Sequence, residues 1–104
     1  MFYLKFKRFY TIRLFELLMQ FEKTKERYIK LESLRDAFQV EKNKYPFFAD
    51  FRKWVLVPSI KEINEKTEWL VYWEQKKTGK KVTSISFYFS RKEKASGEIP
   101  EVFD

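Results

Sequence analysis

The stretch "FADFRKWVLVPSIKEINEKT", Phe48 to Thr67, decides the fold. It reads as the longest helical pattern in the chain, yet Pro58 sits in its middle. A proline inside a helix removes one hydrogen bond and clashes with the preceding turn, at a cost of about 3 kcal/mol. The two halves also fall out of phase. At about 100° per residue, Phe47, Phe48, Phe51, Trp54 and Val55 form one apolar stripe before the proline. Leu56, Ser59, Ile60 and Ile63 form a second stripe, rotated by more than a quarter turn. Two expectations follow. A kink at Pro58 would let one helix serve two surfaces, or the helix stops near Val57 and restarts with Pro58 in its first turn, where proline is tolerated. Either way, Ala49, Asp50, Arg52 and Lys53 face away from the first stripe, in front of the proline.

The pattern on either side is regular. Residues 2–10, "FYLKFKRFY", alternate and read as a short strand or an extended arm. "TIRLFELLMQFEKTKERY" is an amphipathic helix with Thr11 as N-cap; Leu14, Phe15, Leu18 and Phe21 recur at helical spacing, and Arg13, Glu16 and Gln20 take the other face. "RYIKL" is a short strand or extended segment, and "ESLRDAFQV" is a second, short helix carrying Leu31, Leu34 and Phe38. "EWLVYWEQ" and "KVTSISFYFS" are strands; Ile85, Phe87 and Phe89 line one face, and Ser84, Ser86 and Tyr88 the other. Thr78-Gly79 supplies the turn between them. Helix, short strand, helix, longer helix and hairpin make an α+β winged helix-turn-helix, whose third helix enters the major groove while the hairpin lies along the backbone. The expected organisation is an arm or linker over 1–10, the winged helix over 11–94, and an acidic flexible tail over 95–104.

Composition narrows the function. The chain has 104 residues, one domain's worth, and 20% of them are aromatic, ample core material for a chain this charged. Cys and His are absent, which excludes disulfides, thiol nucleophiles and Cys/His zinc sites. The only glycines are Gly79 and Gly97, so there is no phosphate-cradling loop. Glu62 and Glu65 are carboxylates expected to face solvent. No catalytic residue, metal ligand or cofactor is assigned. No apolar run approaches 18 residues, so no membrane partner is expected. The net charge is +7, and the last ten residues hold three of the acidic groups and no Lys or Arg. A basic body with an acidic tail suits a polyanion, nucleic acid first.

Three groups of residues carry that reading. Phe48, Ala49, Asp50, Arg52 and Lys53 form the reading head: short and basic side chains let a helix approach base edges, Arg52 or Lys53 can bridge guanine O6 and N7, and Asp50 can accept from a cytosine amine or orient Arg52 or Arg13. Lys76, Lys77, Lys80 and Lys81 crowd the hairpin tip, where a phosphate backbone would offset their mutual repulsion; such lysines also block edge pairing. Lys5, Lys7, Arg8, Thr11 and Arg13 lie at the start of the first helix, whose N–H groups can hold a phosphate. Trp54, Trp69 and Trp73 are read as core rather than as stacking platforms.

The segments "YTIRLFELL", "LESLRDAF" and above all "FRKWVLVPSIKEINEKT", followed by the hairpin "VYWEQKKTGKKVTSISFYF", resemble the replication initiator (Rep) proteins of iteron-containing, theta-replicating plasmids over about residues 8 to 90. The pattern that fixes Phe51, Val55, Leu56, Pro58, Ile60, Glu62, Ile63 and Asn64 together is the most specific. Four positions depart from the family pattern: Phe15 stands for a frequent Tyr, Lys30 for a Ser or Asp N-cap, Trp54 for a basic residue and Ser59 for Ala. The resemblance implies the second, C-terminal winged helix of such an initiator, bound to double-stranded origin repeats in the bacterial cytoplasm, with a first domain handling dimerisation and with the host initiator and helicase as partners. Two rival readings stand beside it: a winged-helix protein-interaction or dimerisation module, with the hairpin and arm as its interface, and a winged-helix transcription regulator.

Overall fold

In the computed structural model, residues 6–92 are described; Lys5, the first part of the arm and the acidic tail lie outside them. Helix α1 (Phe9–Met19) is followed by strand β1 (Glu26–Lys30) and helix α2 (Leu31–Ala37). Helix α3 (Phe48–Phe51) runs through a π-helical turn (Arg52–Leu56) into helix α4 (Val57–Lys66), and the chain closes with strands β2 (Trp69–Thr78) and β3 (Lys81–Arg91). The sheet is antiparallel in the order β1-β3-β2. The short "RYIKL" segment is therefore a true strand, paired through Ile29 opposite Ile85 and Tyr28 opposite Ser86. The helices cover one face of the sheet, and the core joins Leu14, Leu18, Leu34, Phe38, Phe51, Val55, Leu56 and Ile63 to Ile85, Phe87 and Phe89. This is the expected winged helix-turn-helix.

The segment around Pro58 does not divide between two surfaces; α4 does begin at Val57 with Pro58 in its first turn, as the second expectation has it, but the helix does not stop before it. Residues 51, 52, 56 and 57 all keep helical dihedral angles, so the helix is continuous, and the proline is absorbed by the π turn. Proline has no N–H to give the carbonyl four residues back, and its ring crowds that carbonyl. The wider turn relieves the crowding, and Val57 N–H reaches back five residues to the Arg52 carbonyl. The Ser59 hydroxyl donates to the Val55 carbonyl at 2.7 Å, inside the core. A π turn takes up about one residue more than an α turn, which offsets the phase of everything after it by about 100°. That offset is the misalignment between the two stripes. Phe51, Val55, Leu56, Ser59, Ile60 and Ile63 consequently share one buried face. The expected division between two surfaces is replaced by a single face brought into register.

Two members of the expected first stripe lie elsewhere. Phe47 is 72% exposed because it precedes the helix as an extended N-cap residue, where helical phase does not apply. Trp54 is 52% exposed, carried to the solvent side within the π turn. Trp69 is buried and Trp73 half-buried against the core, so these two fit the core reading and Trp54 does not. Thr11 is also corrected: α1 begins at Phe9 with Arg8 at the N-cap, and Thr11 is fully buried within the helix. Its hydroxyl is buried on the side of the Glu62 carboxylate and cannot reach a phosphate.

Local chemistry sets the other boundaries. Helix α2 ends in a Schellman arrangement, with Gln39 N–H on the Asp36 carbonyl at 2.9 Å, Val40 N–H on the Arg35 carbonyl at 3.0 Å, and Gln39 at φ 60°. Lys30 caps α2 without a side-chain hydrogen bond. The hairpin turn is Gly79-Lys80 rather than Thr78-Gly79, with strands running to Thr78 and Lys81 and Gly79 at φ 64°. Glycine at the first central position suits the tight turn that matches the twist of the strands.

Candidate nucleic-acid interface

The helix-turn-helix is held by one arginine that sequence periodicity did not single out. From α2, the Arg35 guanidinium donates to the carbonyls of Tyr45 at 2.7 Å, Lys44 at 2.6 Å and Glu41 at 3.2 Å. It also lies over the Phe51 ring, 5.3 Å from the centroid. One planar fork thereby ties the loop before α3 to the helix that follows it. The signal is the Leu-Arg pair of "LESLRDAF", but carbonyl partners six to ten residues away leave no trace in spacing.

Ala49, Asp50, Arg52 and Lys53 are exposed together on α3 and the π turn, as expected. Ala49, Arg52, Lys53 and Val57 line one shallow concavity. The Arg52 guanidinium lies over the Trp73 ring of β2, 5.8 Å from its centroid, which leans the head toward the wing. Lys53 Nζ sits 5.0 Å from the Trp54 ring. Neither Arg52 nor Arg13 is oriented by Asp50, which has no ion-pair partner among the described residues. Arg13 instead donates to the Ala37 carbonyl at the end of α2 at 2.9 Å and pairs with Glu16 at 3.5 Å. Phe48 is half-buried and packs toward Phe51, with ring centroids 6.4 Å apart, so it anchors the head.

The wing is fixed to the head from below. The Asn64 side chain accepts from Val71 N–H at 2.7 Å and donates to the Val71 carbonyl at 3.2 Å, pinning α4 to β2. Thr67 closes α4 on the Ile63 carbonyl and receives Trp69 N–H. At the tip, Lys77, Lys80 and Lys81 are exposed, and Thr78 and Thr83 hydroxyls bond across the strands at 2.8 Å. Lys76 differs from its neighbours. A break in register separates it from Lys77, and its ammonium sits 3.1 Å from Glu74, whose hydrogen bond and charge raise its pKa.

The arm is pinned by a carboxylate expected in solvent. Glu62 is only 7% exposed; it accepts Lys7 N–H at 2.6 Å and Lys66 Nζ at 2.9 Å. Burial pushes its pKa up, but the Lys7 N–H, the Thr11 hydroxyl and Lys66 outweigh burial and hold it down at about 2. Lys7 and Arg8 remain exposed at the surface and share a concavity with Val57 and Lys61. Lys61, which spacing alone does not single out, thus joins the arm; Glu62, Glu65 and Lys66 line the same concavity. Among the described residues, no three His, Cys, Asp or Glu side chains gather to hold a metal, and no helix is long and apolar enough to cross a membrane.

A family model described as initiator Rep protein, WH2, matches residues 30–89, from the start of α2 to near the end of β3. Among solved structures, the Pi initiator protein in complex with iteron DNA is similar with a TM-score of 0.68 and 26% identity, over 81% of this chain and 39% of that one. This chain therefore spans well under half the length of the solved initiator it matches. No curated protein matches it. With the helix-turn-helix, the following hairpin and the Pro58 segment all inside the matched span, the chain belongs to the initiator Rep family through its second winged-helix domain.

Proposed function

We propose that this chain binds double-stranded DNA sequence-specifically at the repeats of a plasmid origin, in the bacterial cytoplasm, and so helps start replication. The observation that carries the reading is the likeness to the Pi initiator, a structure determined with iteron DNA. Helix α3 and the π turn enter the major groove, with Arg52 and Lys53 at base edges and Ala49 allowing close approach. Lys77, Lys80 and Lys81 of the wing hold phosphates on one side, with Lys76 partly neutralised by Glu74. Lys7, Arg8 and Lys61 hold phosphates on the other. Recruitment of the host initiator and helicase follows from the same reading, and no catalytic step is involved.

The test separates head from wing. Arg52→Ala weakens binding to the cognate duplex by about 1–3 kcal/mol and relaxes preference at one base pair. Lys77→Ala with Lys80→Ala weakens all duplexes alike and flattens the salt slope. A uniform loss in both variants sinks the assignment of the reading head. A second reading, protein docking through the sheet, is favoured by Tyr28, Tyr72 and Tyr88, exposed together on the outer face. A dimer mass in solution with no duplex discrimination would support it instead.

A further inference from the structure

Val57 is an apolar residue in an exposed place, 41% accessible, and its methyl groups contribute nothing to the core. It lines two concavities: one with Ala49, Arg52 and Lys53, the other with Lys7, Arg8, Lys61 and the carboxylates of Glu62 and Glu65. In an uninterrupted α-helix, residues eight apart lie about 80° apart around the axis. The extra residue of the π turn makes the pair behave as if seven apart, which is nearly one stripe. Ala49 and Val57 therefore form an apolar line along the reading face, with the charges of Arg52 and Lys53 beside it.

In the major groove, the one apolar feature a base pair offers is the thymine 5-methyl group, and small or branched aliphatic side chains are its natural contacts. We infer that Ala49 and Val57 read thymine methyl groups in the bound repeat, with Val57 the specificity-determining member, and that the π turn ahead of Pro58 is what brings Val57 to the groove. This rests on the duplex-binding reading above. It adds a source of specificity that is independent of the hydrogen bonds of Arg52 and Lys53.

The probe is a duplex that the full chain selects from a randomised pool. Each thymine is then replaced singly by deoxyuridine, which removes the methyl group and leaves base pairing and groove hydrogen bonds intact. Binding is followed by fluorescence anisotropy at fixed salt. At one or two thymines the replacement weakens binding about three- to fivefold, the value of one buried methyl-sized group. Val57→Ala weakens the thymine duplex by a similar factor and brings the thymine-to-uracil ratio at that position close to one. Arg52→Ala leaves that ratio in place while lowering affinity overall. The inference is overturned if a selected duplex is bound specifically yet no thymine is sensitive, or if Val57→Ala keeps the full ratio. If selection returns no consensus at all, the duplex-binding reading itself fails, and this one with it.

Discussion

Glu62 holds the arm against α4, and the hold should be readable as pH-dependent stability. Its carboxyl has an ordinary pKa of 4.5 and about 2 in the folded chain. A depressed folded pKa gives stability that is present above 4.5 and lost as pH falls toward 2. The full difference corresponds to about 3 kcal/mol, and by pH 3 about 2 kcal/mol of it is gone. Other carboxylates titrate over the same range, so the comparison is with Glu62→Gln, which keeps an acceptor for Lys7 N–H but has no charge to lose. Urea unfolding of both proteins, followed by circular dichroism between pH 6 and pH 3, gives the difference directly. Wild type starts the more stable, and the gap closes by about 2 kcal/mol on acidification. A gap that stays constant across that range would mean that the buried carboxylate is not the titrating group, and the account of the arm would be wrong.

Other outcomes follow from single contacts. Arg35→Ala removes three charged hydrogen bonds to the loop carbonyls and should lower stability by about 2–3 kcal/mol, with an unchanged urea slope that marks a local loss rather than a changed unfolded state. Gln39→Gly relieves the left-handed position at the end of α2 and should stabilise by about 0.5–1 kcal/mol, seen as a higher melting temperature. A lower one would mean that the Gln39 side chain has a role its contacts do not reveal.

The plan of the fold was legible because it rests on local regularities. Leu14, Phe15 and Leu18 are spaced for α1, Leu34 and Phe38 for α2, and Ile85, Phe87 and Phe89 alternate along β3. The exposed head of Ala49, Asp50, Arg52 and Lys53 was legible for the same reason. Departures arise where a local rule meets a nonlocal one. A fixed 100° per residue cannot represent a phase slip, so by spacing alone the Pro58 segment divides into two faces and Trp54 falls on the apolar one. Thr11 looks like an N-cap by residue type, but the N-cap of α1 is Arg8, three residues earlier. Glu62 looked solvated because nothing in its spacing shows that Lys7, far away in sequence, would supply its donor. Arg35 leaves no mark in the pattern because its partners are carbonyls, which every residue carries.

The π turn also changes what a difference in length means within the family. Elsewhere in a helix, adding or removing one residue would swing every later side chain off the core. Between Phe51 and Ser59 the chain already carries one residue beyond what a straight α-helix needs. A relative lacking one residue there can keep the same core face with an ordinary helix, losing only the bulge. An alignment should therefore place single-residue gaps in this interval, and the π turn, rather than the proline alone, should come and go with them.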